Sequence, residues 1–224
     1  MDPSVEVALA GMLAAAEDAT PVNAVEAVTG ELGAALHASS VSFLIADLSG
    51  RALVRLAHVP FEPAAEGRRD GDELATVLPF DGGPQEEALR TQVVQVLKDD
   101  AGWTILAPVT ERGEVIGLLE ILLSAEPAPA ALGEIARAAH ALAFVVIANR
   151  RHTDLFEWGQ RTTAFNLSAE IQRRLLPSAF TCEGGSFTLS GWLEPAASIG
   201  GTPSTTASPV TPCTSVSPTP WGTA

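Results

Sequence analysis

The sequence is poor in positive charge, in aromatic side chains and in cysteine. Only 13 of its 224 residues are lysine or arginine, against 27 aspartates and glutamates, and the formal net charge is −14. This charge repels phosphate backbones and anionic lipid heads, so neither a nucleic-acid partner nor a membrane partner is expected. The largest basic cluster, Arg173 and Arg174 with Arg150 and Arg151 before it, is too small to change that expectation.

The two cysteines, Cys182 and Cys213, both lie late in the chain and have no second Cys or His at metal-ligand spacing. A disulfide framework is therefore not expected, and a thioether-linked bilin is excluded from the part before Cys182. The amino terminus lacks a basic segment followed by an apolar core. The longest strongly apolar stretch, Ala141 to Ala148, is far below the roughly 20 residues that span a bilayer. We expect a cytoplasmic chain with no membrane span.

What is present is the patterning of one α+β domain. Apolar residues recur at helical spacing in two sets separated by Pro21, which predicts two helices before residue 40. A short helix is predicted from Gln85 to Thr91. Six β-type runs bounded by turn residues predict strands at Val41–Asp47, Ala52–His58, Ala75–Phe80, Gln92–Leu97, Thr104–Thr110 and Glu114–Leu123.

A long helix is predicted after the two prolines Pro127 and Pro129. Its apolar residues keep a spacing of three and four, at Leu132, Ile135, Ala139, Leu142 and Val146. This pattern has two interpretations: the seam of a parallel coiled coil that joins two chains into a homodimer, or a face that packs on the chain's own sheet. Helical character is expected to continue to Phe165.

A second helical segment is predicted from Ala169 to Leu176, ended by Pro177. The strand-like run from Phe187 to Leu193 predicts the first strand of a second, incomplete domain. We therefore divide the chain into a domain at 1–125, a closing and linker helix at 126–177, an incomplete segment at 178–201 and a tail at 202–224. The tail contains no charged residue and is expected to be disordered.

The order of these elements resembles that of a GAF domain, and the segment Ala107 to Ile121 (APVTERGEVIGLLEI) is similar to a strand–turn–strand typical of that family. The resemblance implies a six-stranded antiparallel sheet with flanking helices and a sensory role. It also implies a small-molecule pocket between the sheet and the loop at 60–72, and the ligand stays unknown. Candidate lining residues are Phe43, His58, Phe80 and Trp103; alternatively, these are core aromatics and a surface histidine.

A second resemblance covers AEIQRRLLP and EPAASIGG, which are similar to the opening of PPM-type serine/threonine phosphatases of the stage II sporulation protein E family. That family uses Mn²⁺ or Mg²⁺ and acts on a phosphorylated anti-anti-sigma factor. The residues that carry the resemblance are Ala169, Glu170, Ile171, Gln172, Leu175, Leu176, Pro177, Gly200 and Gly201. Thr202 stands where the family has a metal-binding aspartate, and a neutral hydroxyl cannot replace that carboxylate.

The composition of the tail is explained by a frameshift after Gly201. Restoring one nucleotide at the glycine pair permits a reading that begins GGD and ends DAMGHG, and these strings are similar to the family's two metal-binding motifs. The single codon of Trp221 restricts the second string. The alternative is an authentic Ser/Thr/Pro-rich linker.

The sequence as a whole predicts a sensory and dimerising module of a signal-transduction phosphatase, itself non-catalytic because no aspartate follows Phe187. We assign no catalytic residue, no metal ligand and no cofactor to this chain. Two alternatives stay open. The intact gene product is an active Mn²⁺- or Mg²⁺-dependent phosphatase, or the chain is a free-standing GAF protein that binds a small molecule.

Overall fold

A computed structural model describes residues 3–48, 52–61, 77–79, 82–100, 102–162, 166–175, 181–183 and 186–190. The chain divides into two compact units, Met1–Thr162 and Thr163–Ala224. The first unit contains the sheet and the helices that pack on it.

The first unit is built on a six-stranded sheet in which every neighbouring pair is antiparallel. The strand order is β3-β2-β1-β6-β5-β4, so the first and last strands of the sequence pattern meet at the centre as β1 and β6. The predicted antiparallel sheet is confirmed. The strands are β1 (Ser40–Ala46), β2 (Ala52–Pro60), β3 (Val77–Pro79), β4 (Gln95–Asp99), β5 (Gly102–Glu111) and β6 (Glu114–Leu123).

Strand β4 begins three residues later than the sequence pattern predicts. Gln92, the predicted first residue of this strand, instead ends the preceding helix in the left-handed region, with φ of 56°. A residue in that conformation cannot continue an extended strand. By contrast, the tight turn predicted between β5 and β6 is confirmed, because Arg112 and Gly113 both have the positive φ angles that a two-residue hairpin turn needs.

The helices of the first unit lie on both faces of the sheet. Helix α1 (Pro3–Asp18), α2 (Ala24–Leu36) and α4 (Pro129–Asn149) share one face, which we call the helical face. The short helix α3 (Pro84–Thr91) lies on the opposite face, which we call the α3 face. Side chains alternate between these two faces along each strand. The main core forms under the helical face, and its largest fully buried members include Phe43, Ile45, Ile105, Leu119, Ile121 and Ile135.

Helix α4 packs its apolar face on the chain's own sheet. Four of the five positions that keep the three-four spacing, Ile135, Ala139, Leu142 and Val146, are buried in the core of the first unit. The remaining one, Leu132, is partly buried against the same core. The face that the sequence offers as a coiled-coil seam is thus already occupied, which favours packing on the sheet over the coiled-coil interpretation.

The same helix is long and apolar enough to cross a bilayer by length and composition, and it is the one such helix among the described residues. The sequence predicted no membrane span, because its longest strongly apolar stretch, Ala141 to Ala148, is far shorter than the roughly 20 residues that span a bilayer. In the structure α4 is followed by α5 (Leu155–Gly159), which also packs on the sheet. Helix α4 is therefore a core helix of this unit.

The prediction of helical character continuing to Phe165 is wrong between Asn149 and Leu155 and is confirmed at α5, whereas residues 163–165 lie outside the described part of the chain. Helix α4 ends at Asn149, whose side-chain amide donates to Val145 O at 2.9 Å. The chain then turns, and the hydroxyl of Thr153 accepts a hydrogen bond from the Leu155 amide at 3.1 Å. The turn lets α5 bring Phe156 into the main core, where its side chain is 1% exposed. Burial of this one aromatic residue outweighs helix continuation.

The second unit contains helix α6 (Leu167–Leu175) and a small antiparallel sheet of two strands, β7 (Thr181–Glu183) and β8 (Thr188–Ser190). Strand β8 lies within the predicted run from Phe187 to Leu193, whereas β7 was not predicted. The tail at 202–224 lies outside the described residues.

Candidate functional site

The two faces of the sheet differ in polarity, and the difference defines a candidate site. The helical face is covered by apolar side chains along its length. The α3 face has an apolar patch under α3, where Ala88 and Leu89 pack against Leu44, Leu53, Leu106 and Leu118. Beyond this patch the same face carries polar residues on β2, β1 and β6, and four of them lie next to one another across these strands: Ser42, Arg55, His58 and Glu120. We call these four residues the polar cluster.

A β-bulge in β2 helps to bring the polar cluster together. Phe43 pairs with Ala57, and the next residue of β1, Leu44, pairs with Arg55, so Leu56 has no partner on β1. The extra residue allows Arg55 and His58, three positions apart, to lie on the same face. In a regular strand, two residues separated by an odd number would face opposite sides.

The centre of the polar cluster is an ion pair across the sheet. Arg55 Nη2 donates to Glu120 Oε1 at 2.7 Å, and the two side chains are 21% and 20% exposed. Arg55 Nε is buried and has no hydrogen-bond partner among the described residues. An unpaired buried donor is unfavourable, so a hydrogen-bond acceptor placed beside it would be bound favourably.

The second part of the polar cluster is the contact between Ser42 and His58. Ser42 Oγ lies 2.8 Å from His58 Nδ1, and Ser42 is 1% exposed. The direction of this hydrogen bond depends on the tautomer of the imidazole, since a hydroxyl both donates and accepts. The pair fixes one ring nitrogen of His58 and thereby orients the ring on the α3 face.

Helix α3 is anchored at both ends beside this face. At its start, Gly82 N–H donates to Glu86 Oε2 at 2.8 Å, and Pro84 occupies the first turn. At its end, Gln92 Nε2 donates to Gly113 O at 2.7 Å, which ties the helix to the β5–β6 turn. These contacts hold the helix over the apolar patch and leave its position defined relative to the polar cluster.

On the surface of α3, Arg90 hydrogen-bonds Glu87, and this bond raises the pKa of Arg90 above its ordinary value.

The structure describes three of the four sequence-predicted pocket residues and places them on different faces of the sheet. Phe43 is fully buried in the main core under the helical face, and Trp103 packs against the same core with Lys98 Nζ at 5.2 Å from its ring centroid. His58 lies on the α3 face, and Phe80 lies outside the described residues. The two aromatic residues thus fit the core alternative, whereas His58 belongs to the candidate site.

Sequence reasoning missed Ser42, Arg55 and Glu120. The signal for two of them was present, because Arg55 and Glu120 are charged residues in the middle of otherwise apolar strands (ALVRLAH and LLEIL). Such a residue needs a partner or a ligand when it is partly buried. The partner was not predictable from local sequence, since 65 positions separate the two charges.

The residues that resemble a phosphatase opening lie in the second unit and are only partly described. Helix α6 contains Ala169, Glu170, Ile171, Gln172 and Leu175, and Asn166 Oδ1 caps it by accepting from the Ala169 amide at 2.9 Å. Ala169 is buried, whereas Ile171 is half exposed. Leu176, Pro177, Gly200 and Gly201 lie outside the described residues.

Within the described part of the chain, no group of three or more histidine, cysteine, aspartate or glutamate side chains is placed to hold a metal ion. The polar cluster offers both hydrogen-bond donors and acceptors on the α3 face.

Comparison with known proteins finds similarity in structure only: no protein-family model matches the sequence, and no curated protein matches it. Among solved structures, the GAF domain of an Acinetobacter phosphoenolpyruvate-protein phosphotransferase superposes with a TM-score of 0.54 at 12% identity, covering 68% of this chain and 98% of that one. The GAF domain of a phosphoenolpyruvate-protein phosphotransferase from Coxiella burnetii superposes with a TM-score of 0.55 at 19% identity, covering 67% of this chain and 98% of that one.

The first unit has the GAF fold. A third similar structure is the free methionine-R-sulfoxide reductase of Neisseria meningitidis, solved in complex with its substrate, with a TM-score of 0.55 at 18% identity over 68% of this chain and 95% of that one. Each of the three structures is matched over nearly its whole length, so this chain contains a complete GAF fold and a further third. The superpositions establish the fold of the first unit. The sequence identities, 12% to 19%, are too low to indicate its ligand.

Proposed function

We propose that the first unit is a sensory module that binds a small polar molecule at the polar cluster on the α3 face. The observation that carries this proposal is the partly buried ion pair between Arg55 and Glu120, with Arg55 Nε buried and without a hydrogen-bond partner among the described residues. Support also comes from a protein of similar fold, the Neisseria reductase, which was solved with its substrate bound.

The charges of the polar cluster indicate the class of ligand. One guanidinium and one carboxylate give this cluster a net charge of zero, and the chain as a whole is strongly acidic. A strongly anionic ligand would be repelled by the chain and would have to displace Glu120. A neutral or zwitterionic molecule with both donors and acceptors fits better, because it can pair with Arg55 and Glu120 at the same time.

A ligand screen tests the proposal directly. Thermal unfolding of the full chain with a library of neutral and zwitterionic metabolites should yield compounds that raise the unfolding temperature, since a ligand at 100 times its Kd adds about 2.7 kcal/mol. The Glu120→Gln variant should lose at least about tenfold in affinity, or about 1.4 kcal/mol. Arg137→Gln, which alters an exposed pair on α4, is the control and should bind like the wild type. Equal binding by Glu120→Gln would move the site elsewhere.

For the second unit, we propose that residues 178–201 are the start of a PPM-type phosphatase domain, preceded by the linker helix and cut short by a frameshift after Gly201. The support is the sequence alone: the helix containing AEIQRRLLP, the EPAASIGG segment and the out-of-frame motifs in the tail. The chain itself is then non-catalytic. An assay with Mn²⁺ and a phosphoserine peptide should give no turnover above background, and restoring one base at the glycine pair should create it; turnover by the 224-residue chain would refute the proposal.

A homodimer through α4 would need a different surface from the predicted seam. The exposed side of this helix carries His140 and Phe144, whose rings meet edge to face at a centroid distance of 5.4 Å. We propose that any α4-mediated pairing uses this side. Sedimentation of the wild type and a Phe144→Glu variant tests it, because a dimer formed here would dissociate in the variant.

A further inference from the structure

The end of the first unit is bound to the sheet that carries the candidate site. Phe156 of α5 is buried in the main core. The Leu48 amide donates to Gln160 O at 2.9 Å, and the Thr162 amide donates to Asp47 Oδ1 at 3.0 Å. We call the segment 156–162 the latch, because it fixes the last residues before the second unit to the end of β1.

One side chain connects the latch to the polar cluster. A Cβ atom on Gly159 of the latch would lie 2.5 Å from Leu56 Cδ2, so the glycine permits close packing on Leu56. Leu56 is the bulge residue of β2, and it packs toward the main core. The residue before it, Arg55, is on the opposite face in the ion pair with Glu120. A single step along the β2 backbone therefore separates a ligand-facing group from a latch contact.

We infer that the bulge in β2 transmits the state of the Arg55–Glu120 pair to the latch. The extra residue of a bulge is unpaired and the ladder is locally disrupted there, so the β2 backbone at Leu56 can shift without breaking a ladder pair of Leu56 itself. A ligand that takes Arg55 from Glu120 shifts this part of the backbone, withdraws Leu56 from Gly159 and loosens the latch. This coupling rests on the proposed function, since it takes Arg55 as the ligand contact, and it assigns to that site the regulation of the chain after Thr162.

Amide hydrogen exchange of the full chain tests the coupling without any ligand. The Leu48 and Thr162 amides report on the latch, because both are donors in its hydrogen bonds. In Glu120→Gln these two amides should exchange about two- to thirtyfold faster than in the wild type, the range expected for coupling between linked sites. The core amides of Ile105 and Leu119 measure global opening, and their change is subtracted. Arg137→Gln should leave all four amides unchanged.

A double-mutant cycle separates coupling from simple loosening. Leu56→Val shortens the connecting side chain with little loss of fold, and adding Glu120→Gln to it should have less than half the effect, on a logarithmic scale, that it has in the wild type. Gly159→Ala should also speed exchange at Thr162. Gly133→Ala, at an exposed position of α4, should not, since a Cβ there meets nothing within 4 Å.

The inference fails if Glu120→Gln changes Leu48 and Thr162 exchange by less than about twofold after the correction for global opening. It also fails if the effects of Glu120→Gln and Leu56→Val multiply independently. Because no ligand is used, these outcomes are separate from those of the ligand screen. A failed screen with a positive cycle would refute the proposed ligand class and leave the coupling in place.

Discussion

Two charged residues stand in the middle of strands that are otherwise apolar, and together they define the candidate site. The side chains of Arg55 and Glu120 are each only about a fifth exposed. Each charge therefore requires an opposite charge beside it, because an unpaired charge that is mostly buried is strongly destabilising. The local sequence shows that a charged residue in the middle of an apolar strand is unusual. It does not show that Arg55 and Glu120 form an ion pair with each other. The same is true of Ser42 and His58, whose contact depends on the pairing of β1 with β2 and on the bulge at Leu56.

Replacing Glu120 with glutamine should lower the free energy of unfolding by about 1 to 2 kcal/mol, because Arg55 loses its carboxylate and keeps a partly buried charge. Urea unfolding followed by circular dichroism measures this change. The Arg137→Gln control removes an ion pair within α4 whose arginine side chain is 60% exposed, and it should cost no more than about 0.5 kcal/mol. Equal effects of the two substitutions would mean that the Arg55–Glu120 pair is screened like a surface pair.

Two glycines in α2 should respond oppositely to alanine. A Cβ on Gly33 would overlap the ring of Phe61 and lie 2.9 Å from Val41 Cγ2, whereas a Cβ on Gly30 meets nothing within 4 Å. Gly33→Ala should therefore destabilise by about 1 to 3 kcal/mol through overpacking. Gly30→Ala should stabilise by about 0.5 to 1 kcal/mol through helix propensity. Thermal unfolding of both variants checks the packing of α2 on β1, and stabilisation by Gly33→Ala would contradict it.

At the scale of elements, the strands and the first two helices followed from the sequence, because alternation and helical spacing directly reflect which side is buried. The structure of the chain after α4 could not be predicted in the same way. Its helical composition suggested continuation, and the burial of Phe156 against a core assembled from distant strands decided otherwise. The choice between the two interpretations of α4 likewise depended on a sheet surface that no local pattern describes.

The two aromatic residues of α5 provide a direct test of that turn. Phe156→Ala should cost about 3 to 5 kcal/mol, because the ring is fully buried in the main core. Trp158, two residues away, is 61% exposed, and Trp158→Ala should change stability by no more than about 0.5 kcal/mol. Urea unfolding of the two variants gives the comparison. Similar costs would indicate that the segment continues α4 and does not return to the sheet.

At the scale of the whole molecule, the sheet separates two tasks. Its helical face supplies the main core, and its α3 face combines an apolar patch with the polar cluster. Two of the four predicted pocket residues, Phe43 and Trp103, pack into the main core, and a third, His58, lies in the polar cluster on the other face. The GAF fold and the helices that pack on it end at Thr162, where the first compact unit ends.

A fragment of residues 1–162 should fold by itself, because the core and the latch lie entirely within the first unit. Its urea midpoint should agree with that of the sheet transition in the full chain, since no residue of the main core is removed. Circular dichroism of both proteins makes the comparison. A non-cooperative transition of the fragment would show that residues beyond Thr162 are needed for folding.

The most direct test of the account is to map a bound ligand on the first unit. Two-dimensional NMR of the full chain, titrated with the compounds that raise its unfolding temperature, should show the largest shifts at the amides and side chains of Ser42, Arg55, His58 and Glu120. Smaller shifts should reach Leu56 and the latch. Shifts confined to the helical face, or the absence of any ligand-dependent shift at the polar cluster, would contradict the proposal that this cluster is the sensory site.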